Sequence, residues 1–212
     1  MACADLPAVR NKGIGQRYGL PALAGWLLRA CLAGLILAWA VPATASEAGI
    51  ASVSPVVREG ELYVDANIEL DLTSELHTAV SRGIPLHFSL DVEIVRRRWW
   101  WFDQVVAQKR RTWRVMYNAL TRQWRVATGE LSLPESSLED ALSRIRSVRG
   151  WAVADLDALD HDVTYTGRIR LRLDTSRLAR PFQIDALNSS AWSLATPWTD
   201  FSFSISKDDF QH

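Results

Sequence analysis

Cysteine is nearly absent from this chain. Its two cysteines, Cys3 and Cys31, both lie in the first forty-five residues, so residues 46–212 contain none. A domain without cysteine has no disulfide and no thiol nucleophile, and burial of its core must stabilise it. Residues 46–212 are long enough to bury such a core. This composition excludes a thiol enzyme and a disulfide-stapled scaffold for that part of the chain.

Recognisable catalytic and metal-binding motifs are also missing. The sequence has no nucleophile elbow, no phosphate-binding glycine loop and no zinc-protease helix motif. Its histidines have no second histidine or cysteine at ligand spacing: His77, His87, His161 and His212. We therefore predict no catalytic residue, no metal site and no cofactor. An envelope hydrolase built on scattered carboxylates is the least favoured alternative, because such carboxylates need to be close only in space.

The chain carries no net charge, with 24 basic and 24 acidic residues. The charges are segregated along the sequence, however. Residues 46–95 contain two basic and nine acidic residues, whereas residues 96–149 contain twelve basic and five acidic ones. A near-neutral protein with a basic middle does not have the charge of a nucleic-acid-binding protein. We predict no nucleic-acid partner.

The first forty-five residues have the pattern of a secretory signal peptide. Basic residues precede the uninterrupted apolar run Ala30–Val41, Pro42 ends the run, and the small residues 43–45 follow. We expect cleavage after Ala45 and a single exported domain over residues 46–212. The alternative is a retained membrane anchor over residues 20–41, which would place a costly arginine near the bilayer centre.

The dominant hydrophobic period in residues 46–212 is two. Apolar and polar residues alternate over residues 61–72, 84–94, 163–173 and 201–206. This alternation is typical of antiparallel sheets with one buried face. Residues 104–117 and 123–128 predict a hairpin with core contacts at Trp113, Val115, Trp124 and Val126, and residues 50–57 predict a short strand. The pattern indicates a mainly β (α+β) fold of antiparallel sheets, with a sandwich as one arrangement.

Two short segments change to helical spacing. The first is Ser74–Arg82, with Leu76, Ala79 and Val80 directed inward. The second is Leu138–Val148, for which Pro134 and the pair Ser136 and Glu139 suggest a start and Gly150 a stop. A long loop is expected between this helix and residue 163. Residues 175–197 show no clear period.

The most unusual stretch in the sequence places three arginines directly before four aromatic residues. Its members are Arg96, Arg97, Arg98, Trp99, Trp100, Trp101 and Phe102. Because a strand hides only every second side chain, some of these rings should be exposed or covered by a partner. The stretch lies between two long predicted strands. We therefore predict that it forms the end of a hairpin, here called the basic-aromatic turn.

Three interpretations of the basic-aromatic turn remain open. Tryptophan and arginine are typical hot-spot residues of protein interfaces. The same residues also suit a membrane surface, where tryptophan lies at the interface and arginine attracts anionic headgroups. In the third interpretation, alternate rings fill the sheet core and the arginines stack on the others.

Two further clusters are candidate sites. Asp155, Asp157, Asp160 and Asp162, together with His161, form an acidic loop. It lacks the turn glycine and closing acidic residue of a calcium loop, so a solvated loop is favoured. Arg168, Arg170 and Arg172 line one strand face. We expect them to pair across strands with the acidic faces of residues 61–71 or of Asp91 and Glu93 rather than to bind an anion.

Several segments resemble a bacterial exported family known as domain of unknown function 4390. The resemblance rests on Leu62–Ala66, Gly83–Leu86, the turn at Arg97–Trp101 and Tyr117–Trp124, and it extends from Ala51 to Phe203. It implies an exported protein of Gram-negative bacteria. Genes of the family often lie near two-component sensor kinases, which implies an accessory role in envelope signalling. The resemblance supplies no catalytic residue and no ligand.

These observations lead to one functional hypothesis and one alternative. The hypothesis is a non-catalytic periplasmic interaction module that contacts an envelope or inner-membrane protein, or the membrane surface, through the basic-aromatic turn. The alternative is a small-ligand or lipid-binding protein that holds its ligand between a sheet and the helix Leu138–Val148, where sheet-and-helix folds often leave an apolar pocket.

Overall fold

The computed structural model describes residues 48–96, 103–160 and 162–206. The predicted signal peptide lies outside these residues, and so do Arg97 to Phe102 of the basic-aromatic turn. The helices in the described part of the chain fall short of the length and apolarity that a bilayer-spanning helix requires.

Two antiparallel sheets form the framework, which confirms the predicted fold class. The three-stranded sheet has the order β1-β2-β7 and the six-stranded sheet the order β6-β5-β4-β3-β8-β9. The strands are β1 Ala48–Arg58, β2 Glu61–Leu70, β3 Leu86–Arg96, β4 Gln104–Asn118, β5 Gln123–Thr128, β6 Leu131–Glu135, β7 Ser147–Asp155, β8 Thr164–Leu173 and β9 Thr199–Ser204.

Three helices accompany the described strands. They are α1 Ser74–Ser81, α2 Leu138–Arg146 and α3 Arg180–Asn188. Thr73 caps α1 by accepting a hydrogen bond from the Leu76 N–H, which satisfies one of the free donors at the helix start. Its predicted inward residues Leu76, Ala79 and Val80 are all buried.

One hydrophobic core joins the inner faces of both sheets with α1 and α2. The period-two prediction is confirmed most clearly in β2 and β8. In β2 the residues Leu62, Val64, Ala66, Ile68 and Leu70 are buried, and in β8 every second residue from Tyr165 to Leu173 is buried. Of the hairpin's predicted core residues, Trp113, Val115 and Val126 are buried and Trp124 is partly buried.

The second helix begins at Leu138 as predicted, but its predicted start signals and its predicted end were wrong. Pro134 belongs to β6, an edge strand where its missing N–H is tolerated. The cap is Ser137 rather than Ser136, because the Ser137 Oγ accepts from the Asp140 N–H at 3.0 Å. The helix then ends at Arg146, and Gly150 does not terminate it.

The predicted long loop after this helix is wrong, because its first half is part of β7. Val148, Trp151 and Val153 are its buried residues. The spacing of three between the first two breaks the period of two, and Gly150 lies at the break with a positive φ of 55°. The register of β7 against β2 shifts in this region, between Val64 and Ala66. A bulge of this kind hides a strand from a search for strict alternation.

The unassigned stretch over residues 175–197 contains α3. None of the residues of α3 is buried, and Ile184 and Leu187 are 62% and 85% exposed. A helix with no fully buried residue gives only a weak amphipathic period in the sequence. Pro181 lies in the first turn of α3, which is the one place where a helix accommodates proline well.

Candidate functional site

The basic-aromatic turn lies between β3 and β4, whose antiparallel pairing is the longest among the described strands. β3 and β4 are paired from Leu86 opposite Val115 to Arg96 opposite Gln104. Arg96 therefore lies on the last described rung of the ladder. The other members of the turn, Arg97 to Phe102, lie outside the described residues. The predicted place of the turn between two long strands is confirmed by the register.

An ion pair holds the base of the turn. The Arg96 guanidinium contacts the Asp160 carboxylate, which lies in the connection between β7 and β8. The Asp160 N–H donates a hydrogen bond to the Tyr165 hydroxyl at 2.7 Å. Tyr165 is fully buried and stacks on Phe203 with ring centroids 5.7 Å apart. A core aromatic residue therefore fixes the backbone of the residue that contacts the turn.

Sequence reasoning missed this contact. Asp160 was considered only as a member of the acidic loop, for which a cation or solvent was the expected partner. The contact depends on β3 lying beside β8 in the sheet, which brings residues 64 positions apart together. The segregation of basic and acidic residues was the available signal, but it names no particular pair.

The strand that follows the turn is exposed at its start. Gln104, Val105, Gln108, Lys109 and Arg110 are all exposed, and Val105 has 49% of its surface accessible. Further along β4, alternation places Trp113 in the core and Arg114 on the opposite, solvent-facing side. The basic run from Lys109 to Arg114, predicted to continue the turn's surface, is thus divided between the two faces of the sheet.

The outer face of the six-stranded sheet carries a network of charges around Asp91. This carboxylate has only 4% of its side chain exposed and contacts Arg110 on β4 and Arg172 on β8, the latter at 3.1 Å. Arg170 lies 3.7 Å away, and Arg168 donates to Glu93 at 2.7 Å. The predicted cross-strand pairing is confirmed for Asp91 and Glu93.

The alternative partners for these arginines, residues 61–71, were wrong. Residues 61–70 form β2, which pairs with β1 and β7 in the other sheet. The arginines of β8 also contact an aromatic residue, because the guanidinium carbons of Arg168 and Arg170 lie 5.1 and 4.4 Å from the Trp198 ring centroid. Pairing and stacking together fix these arginines on the sheet.

Two groups of the network have shifted pKa values, namely Arg110 and Asp174, whose carboxylate lies 3.9 Å from the Arg172 guanidinium. The hydrogen bond and charge of Asp91 raise the pKa of Arg110 above its usual value. Burial raises the pKa of Asp174, but the Ser176 hydrogen bond and the charge of Arg172 outweigh burial and hold it below the usual value. Both shifts keep these groups ionised. Among the described residues, no group of three or more histidine, cysteine, aspartate or glutamate side chains is arranged to hold a metal ion.

Comparison with known protein families identifies the family to which the chain belongs. The family model described as Domain of unknown function (DUF4390) matches residues 45–202, which is most of the sequence. The chain belongs to this family. No curated protein and no solved structure matches the chain.

Three of the four segments that carried the resemblance lie among the described residues of this DUF4390 chain. Leu62–Ala66 lies in β2, and Gly83–Leu86 leads from α1 into β3. Tyr117–Trp124 forms the turn between β4 and β5, where the Asn118 side chain accepts from the Leu120 N–H at 3.0 Å. Tyr117 and Trp124 pack with ring centroids 5.1 Å apart across this turn. The β4–β5 turn therefore lies at the opposite end of β4 from the basic-aromatic turn.

The DUF4390 fold should lose stability below neutral pH through His87. Burial, followed by the charges of Arg177 and Arg114, lowers the pKa of His87 below its ordinary value of 6.5. As pH falls through 6.5, the unfolded chain binds a proton that the folded chain does not, so unfolding becomes more favourable. Because the imidazole is partly exposed and solvent screens the arginines, we expect a contribution of only a few tenths of a kcal/mol.

Chemical denaturation at pH 7.5 and pH 5.5 tests this prediction. The His87→Gln variant should lose less unfolding free energy between the two pH values than the unsubstituted protein. His77→Gln, at an exposed position on α1, is the matched control for the loss of one imidazole. Equal pH dependence of the His87→Gln variant and the unsubstituted protein would show that His87 is not responsible.

Proposed function

We propose that this DUF4390 protein is a non-catalytic periplasmic module that binds an envelope protein through the basic-aromatic turn. The proposal includes export by a cleaved signal peptide and an accessory role in envelope signalling. It assigns the contact to Arg96, Arg97, Arg98, Trp99, Trp100, Trp101 and Phe102, with the exposed start of β4 as a flank.

The observation that carries the proposal is the anchored base of the turn. The ladder between β3 and β4 continues to Arg96, and Asp160 contacts that residue from a neighbouring connection. Because an ion pair and a core tyrosine hold Arg96, this residue loses less conformational entropy when it binds. The contacts that tryptophan and arginine side chains make with a partner would then contribute more fully to the binding affinity.

The distribution of charge favours a protein partner over a uniformly anionic surface. Arginines on the outer face of the six-stranded sheet are held by Asp91 and Glu93. Acidic residues also lie close to the turn, with Asp103 after it and Asp160 beside it. A membrane contact benefits from a continuous basic patch. A mixed, aromatic-rich surface is more typical of a protein interface.

In-cell photo-crosslinking tests the partner surface directly. We expect a photoreactive amino acid at position Trp100 to yield one recurrent protein adduct in the envelope fraction. The matched control is the same amino acid at position Leu120, which is 96% exposed in the β4–β5 turn. The fourteen residue steps between Gln104 and Asn118 separate the two ends of β4 by roughly 45 Å. The control should therefore miss the adduct.

Two outcomes would contradict the proposal. One is an exported, folded protein that gives only lipid adducts or no adduct from position Trp100. The other is loss of folding in the variant with Trp99, Trp100 and Trp101 all replaced by serine, which would mean that the rings belong to the core. If the proposal holds, this triple variant keeps its cooperative unfolding and loses the crosslinked partner.

A further inference from the structure

A cavity of about 360 Å³ lies between the inner face of the six-stranded sheet and the elements that cross it. β4, β5 and β6 supply one wall, and the end of α2 with the start of β7 supplies the other. Its lining residues are Arg111, Trp113, Val126, Thr128, Leu131, Leu133, Arg144, Ser147, Val148 and Arg149. We call this cavity the arginine groove. It is separate from the basic-aromatic turn.

The inner part of the groove is apolar and its rim is incompletely covered. Trp113, Val126 and Val148 are buried in the core. Leu131 and Leu133, on the edge strand β6, remain 63% and 39% exposed. Both residues line the groove rather than the outer face of the sheet. Apolar side chains that line a cavity and remain in contact with water are a favourable surface for a hydrocarbon chain.

The charged lining of the groove is entirely basic. Arg144 is paired with Glu135 at 3.0 Å, but Glu135 is not a lining residue. Arg149 donates to the backbone oxygens of Ala66 and Val148 and to the Asn67 side chain. These acceptors are neutral, so they fix the position of the guanidinium without cancelling its charge.

Arg111 is the least compensated of the three cations. Within the described residues, no carboxylate lies at ion-pair distance from it. Its guanidinium carbon lies 5.6 Å from the Trp113 ring centroid. Burial lowers the pKa of Arg111, because the charged form is partly removed from water. An anion in the groove would restore the lost solvation through paired N–H donors.

We propose that the arginine groove binds a single-chain amphiphile with an anionic head group. Arg111 and Arg149 hold the head group, which is a carboxylate or a phosphate ester. The hydrocarbon chain lies along Trp113, Val126 and the two leucines of β6. This proposal assigns the ligand-binding alternative to one cavity and one chemical class of ligand. It is independent of the partner binding proposed for the basic-aromatic turn.

Calorimetric titration of the full chain with decanoate, decyl phosphate, decanol and inorganic phosphate tests the site. We expect decanoate or decyl phosphate to bind about tenfold or more tightly than decanol, because a charge-assisted hydrogen bond contributes enough to change affinity by that factor. The difference between decanoate and decyl phosphate identifies the preferred head group. Inorganic phosphate should bind weakly, since it leaves the apolar wall uncovered.

Two variants separate the charged and apolar parts of the site. Arg111→Gln should weaken the anionic amphiphile about tenfold and leave decanol unchanged. Arg114→Gln is the matched control, because Arg114 is exposed on the same strand and is not a lining residue. Leu133→Trp should fill the groove and weaken both amphiphiles. Each variant is compared only if its thermal unfolding remains cooperative.

Specific results would overturn the inference. Equal binding of decanoate and decanol, equal effects of Arg111→Gln and Arg114→Gln, or inorganic phosphate as the tightest ligand would each do so. Crosslinking from position Trp100 should be unchanged in the Arg111→Gln variant. Absence of that crosslink in the unsubstituted protein, with amphiphile binding intact, would instead count against the function proposed for the turn.

Discussion

The Gly167→Ala variant is expected to unfold with a free energy about 3 kcal/mol below that of the unsubstituted protein, a value at the upper end for overpacked cores. Gly167 lies inside β8 and is paired with Phe201 of β9. A Cβ at position 167 would come within 3.0 Å of three carbons of the Phe201 ring. The ring is rigid and buried, so it can avoid the new methyl group only by leaving its packed position.

The displacement would spread through the aromatic cluster that supports the candidate site. Phe201 stacks on Phe203 with centroids 6.2 Å apart, and Phe203 stacks on Tyr165. Tyr165 in turn accepts the hydrogen bond from Asp160, which contacts Arg96. The substitution should therefore lower stability and also loosen the base of the basic-aromatic turn.

Denaturant unfolding of a double-mutant cycle checks the mechanism. In a Phe201→Leu background, Gly167→Ala should cost at least 1 kcal/mol less, within the range of coupling energies measured for residues in contact. Equal costs in the two backgrounds would show that the Phe201 ring is not the obstacle. Unchanged stability of the single variant would contradict the close approach itself.

The second large effect is expected at Asp91. Replacing it by asparagine should lower the unfolding free energy by about 2–3 kcal/mol, the upper part of the usual range for a hydrogen bond that involves a charged group. The change removes the one carboxylate shared by Arg110, Arg170 and Arg172. These arginines are partly exposed, so water offsets some of the loss, whereas the Asp91 side chain itself is almost completely buried.

Asp200→Asn is the matched control for Asp91→Asn. Asp200 is exposed on the edge strand β9, and its substitution should change stability by less than about 0.5 kcal/mol. Added salt should weaken the unsubstituted protein only slightly, because a pair with one buried member is poorly screened. Equal stabilities of the Asp91→Asn and Asp200→Asn variants would mean that the network contributes little to folding.

Sequence patterns predicted the elements that follow a simple period. The alternation in β2, β3 and β8 and the inward residues of α1 are direct consequences of one buried face. The same patterns gave no correct prediction where the regular spacing of buried residues is interrupted. The bulge near Gly150 concealed β7, and the exposed surface of α3 concealed a helix.

For the candidate sites too, local sequence patterns predicted some contacts and missed others. The pairing of Arg168, Arg170 and Arg172 with Asp91 and Glu93 was one of two predicted pairings, because adjacent strands in one sheet place opposite charges side by side. Arg111 could have been assigned to the inner face of the sheet, because Arg111, Trp113 and Val115 occupy every second position of β4. Its convergence with Arg149 could not have been predicted, because β7 itself was not.

The sequence alone determined the fold class, the absence of thiol chemistry from residues 46–212 and the place of the basic-aromatic turn between two long strands. These properties follow from composition and from periods that each strand carries within itself. Tertiary structure decided which strands are neighbours, and therefore that Asp160 meets Arg96 and that Arg111, Arg144 and Arg149 line one cavity. Such pairings depend on the order of strands in the sheets, and they join residues too far apart in sequence for any local pattern to relate.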